Sequence, residues 1–242
     1  LIVKVLIFTK CNRTIVGAPP GAEVIALPNV GRCDHTYAHW LSYYTAAKMF
    51  SSDDEDEIVL FTKDTGSEGT NFNGRTFGDL LSLTILNGFS CMMMAEIPSW
   101  IHDYSLLRGY NWQYEEPYSR KGGDTIANDS LSFKSEYSNL GEWVNKISLT
   151  VNLTQNIVPV CYGGMFAATM TQIRKQPKWV WENIEQSMSR GDNIEEGHFA
   201  ERFWAALLSK PMSNKTATVI WESIPHIQKD WSFAGMITQQ TH

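Results

Sequence analysis

Two histidines four residues apart, His35 and His39, stand where the loop Asn29-Val30-Gly31-Arg32-Cys33-Asp34 rises into a helical pattern. A loop entering a helix N-terminus leaves backbone N–H groups unpaired, and these suit a phosphate or a carboxylate. Arg32 adds a fork-shaped cation for the same anion. The i, i+4 spacing also lets two imidazoles share a metal. However, no Glu follows the first His as in H-E-x-x-H, and no third ligand is adjacent. The plainer alternative is that Asp34 caps the helix and the histidines line a solvated face.

A second segment, Phe61-Thr62-Lys63-Asp64, closes an apolar run. In open α/β sheets ligands bind beyond the carboxyl ends of strands, which puts Lys63 and Asp64 in a useful place. Asp64 is suited to hold a divalent cation, Mn²⁺ or Mg²⁺, bridging a nucleotide diphosphate, or to bind a sugar hydroxyl. The acidic run Asp53 to Glu57 precedes the strand and reads as a solvated loop. The third segment joins Gly163-Gly164, a strand-end pair that lets a ligand approach the backbone closely, to the helical stretch ending Glu201-Arg202-Phe203-Trp204. In that stretch Glu196, Phe199, Phe203 and Leu207 share one face. Glu196 then points inward at the helix start, where a buried carboxylate can serve as a general base. The alternative for Glu195 and Glu196 is that they merely suit the positive end of the helix dipole. Glu201 and Arg202 can equally be a surface or structural ion pair, and His198 a surface residue.

The elements around these segments predict the fold. Leu1 to Thr9 and Val24 to Leu27 read as strands, Asp34 to Phe50 as a helix with Tyr37, Trp40, Leu41, Tyr44 and Ala47 on its core stripe, and Ile58 to Thr62 as a third strand. This strand–helix–strand order predicts an α/β protein of one domain, residues 1–242, with a mainly parallel, twisted sheet flanked by helices. Helices are expected at Phe77 to Gly88, Lys178 to Arg190 and Ile194 to Ser209, and a strand at Ile157 to Cys161. Trp100 to Asp129 lacks a clear period and reads as a binding loop.

Of the 242 residues, 43% are hydrophobic and 19% charged, which excludes disorder, collagen and coiled coil. The net charge of −6 opposes bulk attraction to nucleic acid or anionic lipid. No apolar run approaches the ~20 residues of a membrane span, and the chain opens on Leu1, leaving room for an upstream anchor. Four cysteines with no CxxC pair argue against a zinc ribbon and leave one or two disulfides open. Four N-x-S/T tripeptides, at Asn12, Asn128, Asn152 and Asn214, point to the lumen of the secretory pathway or the exterior.

Taken together, the runs NVGRCDHTYAHWL, IVLFTKD, YGGMFAATMTQI and GHFAERFWAALL resemble a glycosyltransferase-like domain-of-unknown-function family. Its pattern reads N-x-G-R-E-x-H-T-Y-L, then an FLQG strand, then E-R-x-W. The likeness runs in islands from Val24 to Leu208 and falls on Asn29, Gly31, Arg32, His35, Thr36, Tyr37, Glu201, Arg202 and Trp204. Cys33 replaces the family's Glu, and Thr62-Lys63-Asp64 replaces its Gln-Gly pair. The broader order of Gly-Gly strand end, helix and acidic helix start is similar to nucleotide-sugar transferases of the GT-A fold. That resemblance implies a Rossmann-like fold, Gly163 and Gly164 lining a donor sugar, Glu196 as base, and Asp64 with a metal, or Lys63, steadying the leaving diphosphate. The D-x-D metal motif of that fold is not cleanly present. The leading expectation is sugar transfer from a nucleotide-diphosphate donor to a glycan or other hydroxyl acceptor. Two alternatives stand beside it: a metal-dependent glycan or phosphoester hydrolase using His35, His39, Asp64 and His198, and a non-catalytic glycan-binding domain that kept the fold.

Overall fold

The computed structural model describes residues 4–10, 14–46, 57–63, 76–92, 101–102, 133–147, 158–161 and 163–223. Seven strands are described: β1 (Leu6–Thr9), β2 (Glu23–Ala26), β3 (Ile58–Phe61), β4 (Phe89–Cys91), β5 (Ile101–His102), β6 (Val158–Pro159) and β7 (Phe166–Thr169). The helices are α1 (Arg32–Ala46), α2 (Phe77–Asn87), α3 (Leu140–Lys146), α4 (Met170–Ile173), α5 (Lys178–Ser187), α6 (Glu195–Leu208) and α7 (Asn214–Ser223). The chain is therefore mixed α/β.

The sheets are small, with strand orders β1-β2, β3-β7-β4 and β5-β6. Only β1 and β2 pair in parallel among the described residues, while β7 runs antiparallel to both neighbours and β5 antiparallel to β6. The expectation of a mainly parallel sheet is corrected accordingly. β2 pairs with β1 and β3 with β7, so among the described residues the strand–helix–strand unit read over residues 24–62 does not form one paired sheet. β3 and β4 do share a direction, as strands linked through a helix can. The strand between them, however, arrives from residues 166–169.

β7 explains why helices lie on both sides of this sheet. Side chains alternate along a strand, and both of its faces are buried. Phe166 and Ala168 join the main core with Tyr37, Trp40, Trp181 and Trp204. Met165 and Ala167 join Leu80 of α2 and Met92 on the other side. Phe61 and Phe166 are direct cross-strand partners, with rings stacked at 4.6 Å. Such a pair adds about 0.5–1.5 kcal/mol beyond its burial.

The helix ends follow local chemistry. Thr76 and Asp79 form a reciprocal capping box on α2, and Gly88 closes the helix in the left-handed region at φ 81°. α1 packs along α5. There the histidine face is not solvated: His35 and Ser42 are buried, His39 Nδ1 lies 2.7 Å from Glu185 Oε1, and Ser42 Oγ donates to Glu185 Oε2 at 2.6 Å. A disulfide, Cys91–Cys161, ties the end of β4 to the chain just before the glycine pair.

Candidate functional site

The carboxyl end of β3, the amino end of β7 and the first turn of α1 meet at one rim of the three-stranded sheet. Three observations establish this. Tyr37 Oη donates to the carbonyl of Gly164 at 2.8 Å. Gly163 N–H donates to Glu201 Oε1 at 2.7 Å. A β-carbon built on Gly164 would lie 3.2 Å from Cys33 Sγ and 4.0 Å from Lys63 Nζ. Segments more than a hundred residues apart in the chain therefore face one another.

The glycine pair has to be glycine. Gly163 and Gly164 both take positive φ, 83° and 62°, a conformation that costs other L-residues about 1–2 kcal/mol each. Two successive left-handed residues fold the chain tightly back into β7. The turn is then held from three sides, by Glu201 of α6, by Tyr37 of α1 and through Cys161 by the disulfide.

Two carboxyl groups sit in this cluster with different environments. Asp34 is buried, accepts a hydrogen bond from Trp204 Nε1 at 2.7 Å, and takes the Cys33 thiol at 3.4 Å. Burial, and then the neighbouring Glu201 charge, lift its carboxyl to about 7 against the pull of the Trp204 and Cys33 hydrogen bonds and the Lys63 charge. Glu201 goes the other way. Burial alone would raise it, but the His198 interaction and the Arg202, His198 and Lys63 charges outweigh burial and bring it to about 2. Arg202 Nη1 lies 3.2 Å from Glu201 Oε2 and also donates to the His198 carbonyl at 2.6 Å. At neutral pH Glu201 is thus ionised and matched by Arg202, while Asp34 titrates. Burial pushes the Cys33 thiol and the Tyr37 phenol well above their ordinary values, so both are neutral donors.

The predicted residues divide into those brought together and those placed elsewhere. Tyr37, Lys63, Gly163, Gly164, Glu201, Arg202 and Trp204 all belong to the rim, with His198 beside Glu201 at 3.8 Å. Asn29 and Arg32 are exposed on the entry loop, where Arg32 itself has φ 47° and Lys10 Nζ donates to the carbonyls of Val30 and Arg32. His35 is buried with its ring stacked parallel to that of His39, the partner of Glu185 on α5, and among the described residues its buried Nδ1 has no hydrogen-bond partner. Burial, with the Lys10 charge second, lowers it to about 4. Glu196 is buried, but its hydrogen bonds run to Arg190 Nε and Nη2, at 3.0 and 2.6 Å, and to Ser135 Oγ. With Glu195, which accepts from Ser135 N–H, it fastens the 133–135 segment onto α6. Asp64 and most of the Trp100 to Asp129 loop lie outside the described residues. Cys33 and Asp34 are rim members that sequence reasoning passed over; the signal was an acidic residue opposite a tryptophan indole, invisible until α1 and α6 are packed.

Among the described residues, no group of three or more His, Cys, Asp or Glu side chains converges to hold a metal ion. The donor chemistry at the rim agrees. Asp34 and Glu201 accept from Trp204, Cys33, Gly163 and Arg202, and an ammonium already lies among them. Within the described residues, which do not include Asp64, this set does not fit a divalent cation. No helix described is long and apolar enough to cross a membrane. No protein-family model matches the chain, and neither a curated protein nor a solved structure matches it significantly.

Proposed function

We propose that this chain is a glycosyltransferase of GT-A type, moving a sugar from a nucleotide-diphosphate donor to a hydroxyl acceptor at the rim around Gly163-Gly164. The observation that carries the reading is the convergence of Cys33-Asp34, Lys63, Gly163-Gly164 and Glu201 from four separate stretches of chain. A pair of carboxyl groups driven apart in acidity by their surroundings is the arrangement from which acid–base roles are assigned.

In this reading the acceptor hydroxyl attacks the anomeric carbon, the bond from that carbon to the diphosphate oxygen breaks, and the hydroxyl proton passes to a carboxylate. The role falls to Asp34, the rim carboxyl that burial and the neighbouring Glu201 charge make less acidic than an ordinary aspartate. Glu201 stays ionised and holds the glycine turn. Glu196, committed to Arg190, is structural. The disulfide and the exposed Asn214 sequon accord with a secretory or extracellular setting.

Calorimetric titration of common nucleotide-diphosphate sugars, followed by transfer assays with simple glycan acceptors, tests this. Binding and turnover are expected, with Asp34→Asn lowering kcat by 10²-fold or more at nearly unchanged KM. Absence of heat with every common donor, with and without Mn²⁺, refutes it.

A further inference from the structure

α2 is apolar on the wrong side. The face it turns to β4, β7 and β3 buries Leu80 and Thr84. Around Thr84 that contact is polar: the Thr84 and Ser90 hydroxyls lie 2.7 Å apart, at 2.8 and 2.7 Å from the Leu80 carbonyl oxygen. The outward face carries the large side chains instead. Ile85 and Leu86 are 70% and 73% exposed, and Phe77 and Leu81 are 39% and 37% exposed. An ordinary surface helix has the reverse arrangement. Together the four leave roughly 400 Å² of apolar surface in water, the size at which a patch marks a contact site.

We infer that this outward face of α2 is the interface of a homodimer, in which α2 packs on α2 across a two-fold axis. Shape is the first reason. Phe77, Leu81 and Ile85, four residues apart, form a ridge, and the small residues Gly78 and Ser82 lie between that ridge and Leu86. A ridge and a groove on one face satisfy the self-complementarity that a two-fold interface demands. Charge is the second. The only charged residue of α2 is Asp79, and its carboxylate is held at the helix start by the N–H and hydroxyl of Thr76, both at 2.8 Å. A chain of net charge −6 meets its own copy at least cost through such an uncharged surface. The same lack of Lys and Arg disfavours an anionic lipid surface, which calls for cations beside the apolar stripe. Area is the third. The four side chains of two copies remove roughly 800 Å², and with Gly78, Ser82 and their backbone the total approaches the ~1,200 Å² at the lower end of stable interfaces. α2 lies across the three-stranded sheet from Tyr37 and Trp204, so pairing leaves the rim free in both copies, and the inference stands without the transfer reading.

Sedimentation equilibrium of the full chain tests this, up to about 200 μM protein. A monomer–dimer equilibrium with Kd on the order of 1–50 μM is expected. Ile85→Glu and Leu86→Glu should each weaken it by at least about tenfold. Val219→Glu, which adds the same charge at a 57% exposed apolar position on α7, should stay within about threefold of the parent. Raising NaCl from about 0.1 to 0.5 M should leave the dimer unchanged or tighter, since no ion pair holds it. Ile85 and Leu86 are mostly in water, so their replacement spares the core, and far-UV circular dichroism verifies that each variant is folded. A chain that stays monomeric throughout, a dimer indifferent to both α2 variants, one weakened equally by Val219→Glu, or one dissolved by salt overturns the inference. A monomer that binds phosphatidylserine vesicles through Ile85 and Leu86 also overturns it and gives the face to lipid.

Discussion

Replacing Gly31 by alanine should destabilise the protein far more than the same change at Gly17, although both glycines are left-handed, at φ 55° and 76°. The conformational part of the cost is shared. A left-handed L-residue costs about 1–2 kcal/mol, offset by roughly 0.4–1 kcal/mol because alanine restricts the unfolded chain. At Gly17 nothing lies within 4 Å of the added carbon, so the net cost is about 0.5–1 kcal/mol. At Gly31 the carbon would lie 2.7 Å from His35 Cβ, 2.8 Å from the Met188 carbonyl oxygen and 2.9 Å from Met188 Cβ. Two of these atoms are side-chain roots and one is backbone, so none can swing away. Overpacking of this kind adds roughly 1–3 kcal/mol, and the total comes to about 2–4 kcal/mol. Gly31 N–H also donates to the Gly191 carbonyl at 2.7 Å, so relieving the clash pulls on the contact between the α1 entry and the turn after α5. Urea unfolding measures both variants as midpoint shifts at constant slope, and the Gly31 variant should melt lower by roughly 5–15 °C. Equal midpoints for the two variants would refute the argument that close approach, rather than backbone conformation alone, demands glycine at 31.

Three further outcomes are expected. Asp34 has a folded pKa of about 7 against 3.8 for the free side chain, so the folded state holds the proton more tightly and stability falls as pH rises through that interval; Asp34→Asn should flatten this loss by roughly 2 kcal/mol between pH 5 and 8 in urea titrations, and an unchanged slope would remove Asp34 as the titrating group. His35 has the opposite sign: lowered from 6.5 to about 4, it lets the unfolded chain bind the proton first, so stability is lost as pH falls through that window. Measured in the Asp34→Asn background to separate the two, His35→Leu should recover on the order of 2 kcal/mol at pH 4.5, and no recovery would place the acid sensitivity elsewhere. Trp204→Phe leaves Asp34 Oδ1 without its donor and should cost roughly 2–3 kcal/mol near neutral pH; the cycle with Asp34→Asn should show coupling of at least about 1 kcal/mol, and additive effects would mean the indole–carboxyl contact carries no stability.

Much of the helical content was legible because periodicity is local. The stripe Tyr37, Trp40, Leu41, Tyr44 is buried as expected, and α5 and α6 begin and end within a few residues of their predicted limits. Pairing was not legible, because strand direction depends on residues distant in the chain. Nothing in Phe166–Thr169 announces that it will insert antiparallel between β3 and β4; the run Met165 to Ala168 is simply apolar, as a strand buried on both faces must be. β4 and α3 were missed for a related reason: each is short, and their burial comes from partners elsewhere. The histidine face of α1 reads as polar on a helical wheel, yet Glu185 of α5 supplies the hydrogen bonds that let it be buried.

The choice between carboxylates shows where sequence reasoning about the site reaches its end. Glu196 and Glu201 lie on the same helix, five residues and so about 140° apart. The wheel correctly turns Glu196 inward, since it shares a face with Phe199 and Phe203 and is buried. Inward, however, meets Arg190, whose guanidinium fork engages both of its oxygens. Glu201 is directed instead to the glycine turn and to Arg202. What distinguishes a structural carboxylate from one at the rim is therefore the partner brought by another element, and that partner is fixed only when α5, α6 and the β3-β7-β4 sheet are packed. The same packing sets Asp34 beneath Cys33 and opposite the Trp204 indole, converting a residue suited to helix capping into the group that titrates near neutrality.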